Sequence, residues 1–253
     1  MRNRIMALLK IKTTKNKRVI YIVTGVSRGI GKAIAENYLN QGFKVIGVGR
    51  LHSIEHANFS FEKCDLSDLE STRQLFVNQK FKEPVTLINN AGIIGSIRRI
   101  SEQEKLDLEL VMAVNATSPM LLTKNIYGNM SNKADFTLVN ISSGAANRAI
   151  PSWASYCASK AALNMLTEVF YLEELEKGID LKAYAVSPGV IETGMQKQIR
   201  NAPKEEFSAV ENFKKMKEEG VLFSAEEAAS KLVALLNSDF TGEIKHDLRS
   251  VNS

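Results

Sequence analysis

The sequence predicts an α/β fold: a single domain built on a doubly wound parallel sheet of about seven strands, with helices on both faces. Three observations carry this. Short β-branched or aromatic runs alternate with amphipathic stretches along nearly the whole chain. Those runs are continuously apolar rather than alternating with polar residues, as a strand must be when both faces of its sheet are covered. The spacing between runs also leaves room for the crossover that joins parallel neighbours. With 253 residues, 44% of them hydrophobic and 24% charged, the chain can bury one substantial core.

Residues 19–23 form the first apolar run and lead into Thr24-Gly25-Val26-Ser27-Arg28-Gly29-Ile30-Gly31, after which Ala33, Ile34, Ala35 and Leu39 have helical spacing. Gln41-Gly42 closes that helix, and 43–48 is a second strand, so the chain opens as a βαβ unit. The connection 51–58 has no helical period, and 59–64 reads as a third strand. A polar helix is expected over about 68–79 and a fourth strand over 85–89. Ser101 and Glu104 have capping-box spacing at the start of a long helical region towards Tyr127, interrupted only by Pro119. A fifth strand, 136–142, is followed by a glycine-containing loop and a helix running to about Lys177. Residues 181–186 form a sixth strand, broken by Ser187-Pro188-Gly189. A polar helical insert over 195–220, a helix over 225–236 and a last strand near 242–246 complete the pattern.

The net charge of +5 is local. Arg2, Arg4, Lys10, Lys12, Lys15, Lys17 and Arg18 precede any acidic residue, and without those seven, 26 basic groups face 28 acidic ones. The expectation is a basic, disordered extension over 1–17 and one domain over 18–253, with no nucleic-acid surface. No apolar run approaches the roughly 20 residues that span a bilayer, so no membrane partner is expected. Two cysteines without metal-type spacing and only three histidines point to a reducing, cytoplasmic setting and to no metal site.

The chemistry centres on Tyr156-Cys157-Ala158-Ser159-Lys160, with Ser143 thirteen residues before the tyrosine. Residues four apart lie on one helix face, so the ammonium can approach the phenol and draw its pKa down towards neutrality. Tyr-x-x-x-Lys alone is common; its surroundings give it weight. Glycines 25, 29 and 31, between an apolar strand and a helix, let a pyrophosphate approach the amides of Ser27, Arg28 and Ile30 at a helix start. After the second strand the chain reads Val48-Gly49-Arg50, with no carboxylate until Glu55 to hold a ribose 2′-hydroxyl. Arg50 and Arg28 offer guanidinium forks for a 2′-phosphate instead, which favours NADP(H). Asp65, with Leu66 beside it, is placed either to accept from an adenine amino group or to cap the next helix. Asn89 to Gly92, including Asn90 and Ala91, offers backbone that can lie against a cofactor or simply turn.

In order and spacing, Thr24 to Gly31, Asn89 to Gly92, Asn115, the Ser143/Tyr156/Lys160 set and Pro188-Gly189 with Thr193 resemble the short-chain dehydrogenase/reductase family, from residue 19 onward. The resemblance implies a Rossmann fold, a nicotinamide cofactor and a small-molecule carbonyl substrate. It implies Tyr156 as general acid, Lys160 as ribose holder, Ser143 rather than Ser142 as donor to the carbonyl oxygen, and Asn115 as the residue that kinks its helix and anchors a water relaying protons to Lys160. It also places Pro188, Gly189, Val190, Ile191 and Thr193 at the cofactor. Within the family, residues 153–162 and 188–196 are similar to the sepiapterin reductase and benzil reductase branch, which implies a reductase of α-diketones or other activated ketones. The stretch Ile244-Lys245-His246-Asp247 departs from the pterin reducers' acidic grip and favours a benzil-type substrate over sepiapterin. Ile150, Trp153, Met195 and Gln196 are the substrate-facing candidates. A 3-oxoacyl-thioester reductase and a non-catalytic NADPH sensor are the alternatives. The family's habit of pairing its two long helices implies a homodimer or homotetramer.

Overall fold

The computed structural model describes residues 19–251, so the basic extension lies outside the described residues. Seven parallel strands form one sheet in the order β3-β2-β1-β4-β5-β6-β7. They are β1 (Ile20–Thr24), β2 (Lys44–Gly49), β3 (Phe59–Lys63), β4 (Val85–Asn89), β5 (Phe136–Ile141), β6 (Lys182–Ser187) and β7 (Lys245–Asp247). The chain winds outward from β1 to β3, then returns to the other side of β1 with β4. The order therefore reverses between β1 and β4, and a crevice opens beyond their carboxyl ends.

Among the described residues, eight α-helices pack around the sheet: α1 (Gly29–Asn40), α2 (Leu69–Gln74), α3 (Lys105–Met112), α4 (Ser118–Gly128), α5 (Ala154–Glu176), α6 (Gly194–Arg200), α7 (Val210–Glu218) and α8 (Ala225–Asn237). On one face, Ile34 and Tyr38 of α1 and Leu232 of α8 share a core with Val23, Val139 and Val186 of the strands. On the other, Leu122 and Ile126 of α4 and Phe170 of α5 pack on Ile22, Leu87 and Leu138. β1 and β4 contribute side chains to both cores, which is why they read as unbroken apolar runs. A third, smaller cluster stands apart from both: α6, α7 and the loop between them supply Ile199, Phe207, Val210 and Phe213, which close over Trp153 and Tyr156.

Several local expectations fail. Ser101 and Glu104 form no capping box: α3 starts with Glu104 at its cap, and no side chain bonds there. The helical region breaks at Ala113–Thr117, one wide π turn in which the Ser118 amide reaches back five residues to the Ala113 carbonyl. Pro119 then sits in the first turn of α4, where a missing N–H is tolerated. It has no N–H to give the Asn115 carbonyl four residues back, so the change of register falls at that point. The polar helix α2 is also shorter than its pattern, because the chain turns at Phe76 with φ of 62°. Its amino end is capped by Asp68, whose carboxylate accepts from the Glu70 and Ser71 amides at 3.0 and 3.2 Å. That removes the capping role considered for Asp65.

Candidate active site

A cleft of about 1230 Å³ runs across the carboxyl ends of the strands. Every site residue predicted above lines it except Gly31, Asn89 and Asn115, which act from behind its wall.

The cofactor side is built from β1, β4 and the glycine turn. Thr24 clips the two central strand ends together: its hydroxyl accepts from the Asn90 and Ala91 amides at 3.0 and 2.9 Å, and the Asn90 side chain returns to the Thr24 carbonyl at 2.9 Å. Gly25 has φ of +76°, and a Cβ there would lie 3.0 Å from Ala91 Cα. A Cβ on Gly31 would lie 2.4 Å from the Gly25 carbonyl oxygen, so Gly31 lets α1 approach the turn. The turn brings the backbone of Ser27, Arg28, Gly29 and Ile30 to the amino end of α1, a position where N–H groups and helix dipole favour an anion. These features fit a dinucleotide's diphosphate. Arg28 is exposed, and its guanidinium comes within 3.8 Å of the place a Cβ would occupy on Gly194. Arg50 is exposed at the rim, 3.9 Å from Asp65. The Ser67 amide holds the Asp65 carboxyl below the usual carboxylate range, with help from the Ser67 hydroxyl and Arg50. Leu66 is buried, and its carbonyl accepts from Ser118 Oγ at 2.6 Å.

The Pro188–Thr193 loop leaves β6 through Gly189, with φ of +83°. It is tied down on one side by Phe223, whose amide donates to the Val190 carbonyl at 3.0 Å, while Ile191 bridges the same residue. Thr193 stands at the amino end of α6, its methyl 3.5 Å from where a Cβ on Gly29 would be, so this loop and the glycine turn face one another.

The candidate catalytic groups converge from β5 and α5. Tyr156 and Lys160 are both buried, 6% and 3% exposed, one helical turn apart. The Lys160 ammonium donates to the Ile141 carbonyl at 2.8 Å and lies 5.9 Å from the centre of the Tyr156 ring. Burial lowers the Lys160 pKa to about 8. Burial also pushes the Tyr156 phenol above its ordinary value, and the Ser143 side chain opposes that shift. The net direction is thus the reverse of the lysine-depressed phenol the sequence suggests: both groups are out of water, and at Tyr156 desolvation outweighs the Ser143 hydrogen bond.

The two neighbouring serines separate clearly. Ser142 is buried, with its hydroxyl 2.5 Å from Asn164 Oδ1 and its amide bonded to the Val186 carbonyl at 2.7 Å. Ser143 is half-buried in the cleft wall, accepts from the Ala145 amide at 3.1 Å, and is the serine whose side chain reaches Tyr156. Asn115 sits in the π turn and is fully buried. Its amide clamps both backbone groups of Ile93, at 2.9 and 2.8 Å, and donates to Ser159 Oγ at 3.0 Å. It therefore locks the loop after β4 to the helix that carries Tyr156.

Beyond Tyr156 the wall is apolar. Trp153 is 5% exposed, edge-on to Tyr156 at 5.6 Å, stacked on Phe207 and tilted against Phe213, both at 5.4 Å. It is at once core and pocket wall. Ile150, Met195, Ile94 and Ile199 join it, with Gln196 among them. The sequence reading missed Ile94, Ile199 and Phe213, gave Thr24 no role of its own, and missed Arg249, which lines the cleft beside Asp247 at the end of β7. Arg249 grips Asp247 through Nε and Nη2 at 2.9 and 2.5 Å. Cys157 is a half-buried filler whose sulfur approaches only the Arg148 carbonyl, at 3.8 Å. Among the described residues no cluster could hold a metal ion, and no helix is long and apolar enough to cross a membrane.

A diphosphate cradle at a strand-order reversal, leading to a buried tyrosine, lysine and serine, defines a nicotinamide-dependent oxidoreductase. The short chain dehydrogenase family model matches residues 19–204, and the chain belongs to the short-chain dehydrogenase/reductase family. It acts on a small molecule, at a CH–OH or C=O group. It is 35% identical over 227 residues to a benzil reductase ((S)-benzoin forming) of Bacillus subtilis, covering 86% of this chain and 93% of that protein. It is 34% identical to the benzil reductase of Bacillus cereus, covering 86% and 94%. A solved short-chain dehydrogenase/reductase from Saccharomyces cerevisiae superposes with a TM-score of 0.77 at 27% identity, covering 92% of this chain and 96% of that one.

Proposed function

We propose that this chain is an NADP(H)-dependent reductase of α-diketones or similarly activated ketones, of the benzil reductase kind. The observation that carries the reading is the convergence of Ser143, Tyr156 and Lys160 on a cleft whose far wall is aromatic and aliphatic. A nicotinamide held in the cleft would supply the hydride. As the carbonyl carbon receives it, negative charge gathers on oxygen, where the Ser143 and Tyr156 hydroxyls donate. Tyr156 then gives up its proton. A phenol raised above its ordinary pKa is still a far stronger acid than the alcohol being formed, so the transfer runs downhill. Lys160 faces the cofactor side of the same helix, where its charge offsets the phenolate left behind, and Asn115 keeps α5 and the Ile93 loop in register.

Arg28 and Arg50 at the exposed rim, with no carboxylate following β2, support NADP(H) over NAD(H). The clamp of Arg249 on Asp247 takes up the carboxylate that a pterin would need, which supports a benzil-type substrate over sepiapterin. Two unpaired cysteines fit a cytoplasmic setting. Met112, Met120, Met165, Val169 and Leu172, all exposed on α3 to α5, support a homodimer or homotetramer formed through those helices. The test is kcat/KM with NADPH and NADH against benzil, 1-phenyl-1,2-propanedione, sepiapterin and an acetoacetyl thioester, for wild type and Tyr156→Phe. Benzil with NADPH is the expected best pair, and Tyr156→Phe loses roughly 100- to 10,000-fold while still binding NADPH. Preference for NADH, for the thioester or for sepiapterin, or an active Tyr156→Phe, would refute the corresponding part.

A further inference from the structure

The substrate wall carries one polar exception. Gln196, in the first turn of α6, is 8% exposed, and its Oε1 is wholly inaccessible and without a hydrogen-bond partner among the described residues. Leaving such a group unpaired costs free energy, so an amide kept there needs a reason. The fold does not supply one. Gln198, two residues on, uses its amide structurally, donating to the Gly95 carbonyl at 3.0 Å across to the loop after β4. Gln196 instead lines the cleft with Trp153, Met195, Ile199 and Phe213, none of which offers it a partner. The indole N–H of Trp153, also in that wall, is a donor without an acceptor among the described residues, and the Gln196 oxygen does not serve it. With Oε1 turned inward, the end of the amide left to meet a molecule in the cleft is its N–H donor, which has no hydrogen-bond partner among the described residues.

We infer that Gln196 is the receptor for the second, non-reacting oxygen of a 1,2-dicarbonyl substrate. The inference rests on the diketone reading above and deepens it. A 1,2-diketone carries two oxygens on adjacent carbons, and Ser143 with Tyr156 serves one of them. The other enters an otherwise apolar wall and needs a donor there, which the Gln196 N–H provides. A monoketone leaves the amide unpaired in the closed complex, and a site built around a hydrogen bond discriminates strongly against an analogue that cannot make it. With an unsymmetrical dione, the same contact fixes which carbonyl lies under the Tyr156 hydroxyl.

The experiment compares kcat/KM with NADPH for benzil and for 1,2-diphenylethanone, which keeps both rings and lacks the second oxygen. It uses wild type, Gln196→Met, which keeps the length of the side chain without its amide, and Gln196→Glu, which places an acceptor where a donor is needed. Melting temperatures establish that each variant is folded, and the hydroxyketone isomers formed from 1-phenyl-1,2-propanedione are resolved by chromatography. The expected result is a fall in the diketone-to-monoketone ratio of roughly ten- to a hundredfold in Gln196→Met and at least as large in Gln196→Glu, with loss of isomer preference in both. A merely structural role would lower both substrates together and leave the ratio alone. If wild type favours benzil but the ratio and isomer preference survive in either folded variant, the role of Gln196 is overturned and the diketone reading stands. If wild type does not favour benzil over the monoketone, both fall.

Discussion

Replacing Gly31 with alanine tests whether the cofactor cradle depends on backbone approach. The added Cβ would sit 2.3 Å from Asn90 Nδ2 and 2.4 Å from the Gly25 carbonyl oxygen. The Asn90 amide can swing away, but only by giving up its bonds to the Thr24 and Gly25 carbonyls, at 2.9 and 3.4 Å. The Gly25 oxygen belongs to a turn held at φ of +76° and cannot yield without moving the turn. Overpacking of about 1–3 kcal/mol plus about 1 kcal/mol of lost hydrogen bonding gives a destabilisation of roughly 2–4 kcal/mol. For a domain of this size that lowers Tm by roughly 5–15 °C. NADPH affinity should fall with it, because the displaced amides are those facing the diphosphate. Gly128→Ala is the control: it lies at the end of α4 with nothing within 4 Å of the added methyl and should be neutral or stabilising by about 0.5–1 kcal/mol. Thermal unfolding and NADPH fluorescence titration read both. A Gly31→Ala protein that melts within about 2 °C of wild type and binds NADPH equally well would refute the reasoning.

Lys160, with its pKa lowered to about 8, makes two pH predictions. Between that value and the ordinary lysine pKa of about 10.4, the unfolded chain keeps a proton the folded chain has lost, so this residue's contribution to stability rises with pH through that window. Urea unfolding should therefore show wild type gaining on Lys160→Met from pH 7.5 to 9.5, the pH values being chosen to bracket roughly that interval. Reductive kcat/KM, which reports the free enzyme, should decline above about pH 8 as the ammonium is lost; a flat profile to pH ~10 would contradict the assignment. Outside the cleft lining, Ser224 and Glu227 form a complete capping box at the start of α8, with bonds of 3.0 and 2.7 Å. Ser224→Ala should cost about 1 kcal/mol in chemical denaturation and leave kcat/KM unchanged.

What the sequence disclosed was what short-range pattern encodes. β4 matched its expected residues, and the other strands lay within a few residues of theirs, because unbroken apolar runs have few other uses in a chain that alternates with helices. Tyr156, Lys160 and Ser143 were readable because their spacing is set by one helix and one strand end. What stayed hidden depends on residues distant in sequence. Ser101 and Glu104 have the right letters for a cap, but Ser101 sits in a short 3-10 turn, Ile100–Glu102, the chain is extended at Gln103 and Glu104, and the α-helix starts later. The packing of Phe207 and Phe213 on Trp153 joins segments some sixty residues apart, and no periodicity announces it. The shift of the Tyr156 phenol reversed its expected direction because burial is a property of the whole fold, whereas the Tyr-x-x-x-Lys spacing conveys only proximity. The locking of Asp247 by Arg249, two residues along, was within reach of the sequence, but only the position of the tail showed that it mattered.

The small third cluster has an evolutionary consequence. Because Ile199, Phe207, Val210 and Phe213 belong to the stretch from α6 to α7, which contributes to neither core of the sheet, its side chains can be exchanged without disturbing the strands that hold the nucleotide. Selection can reshape what the enzyme accepts by editing some twenty residues while the hydride-handling half stays fixed, and directed libraries aimed at new ketones belong there.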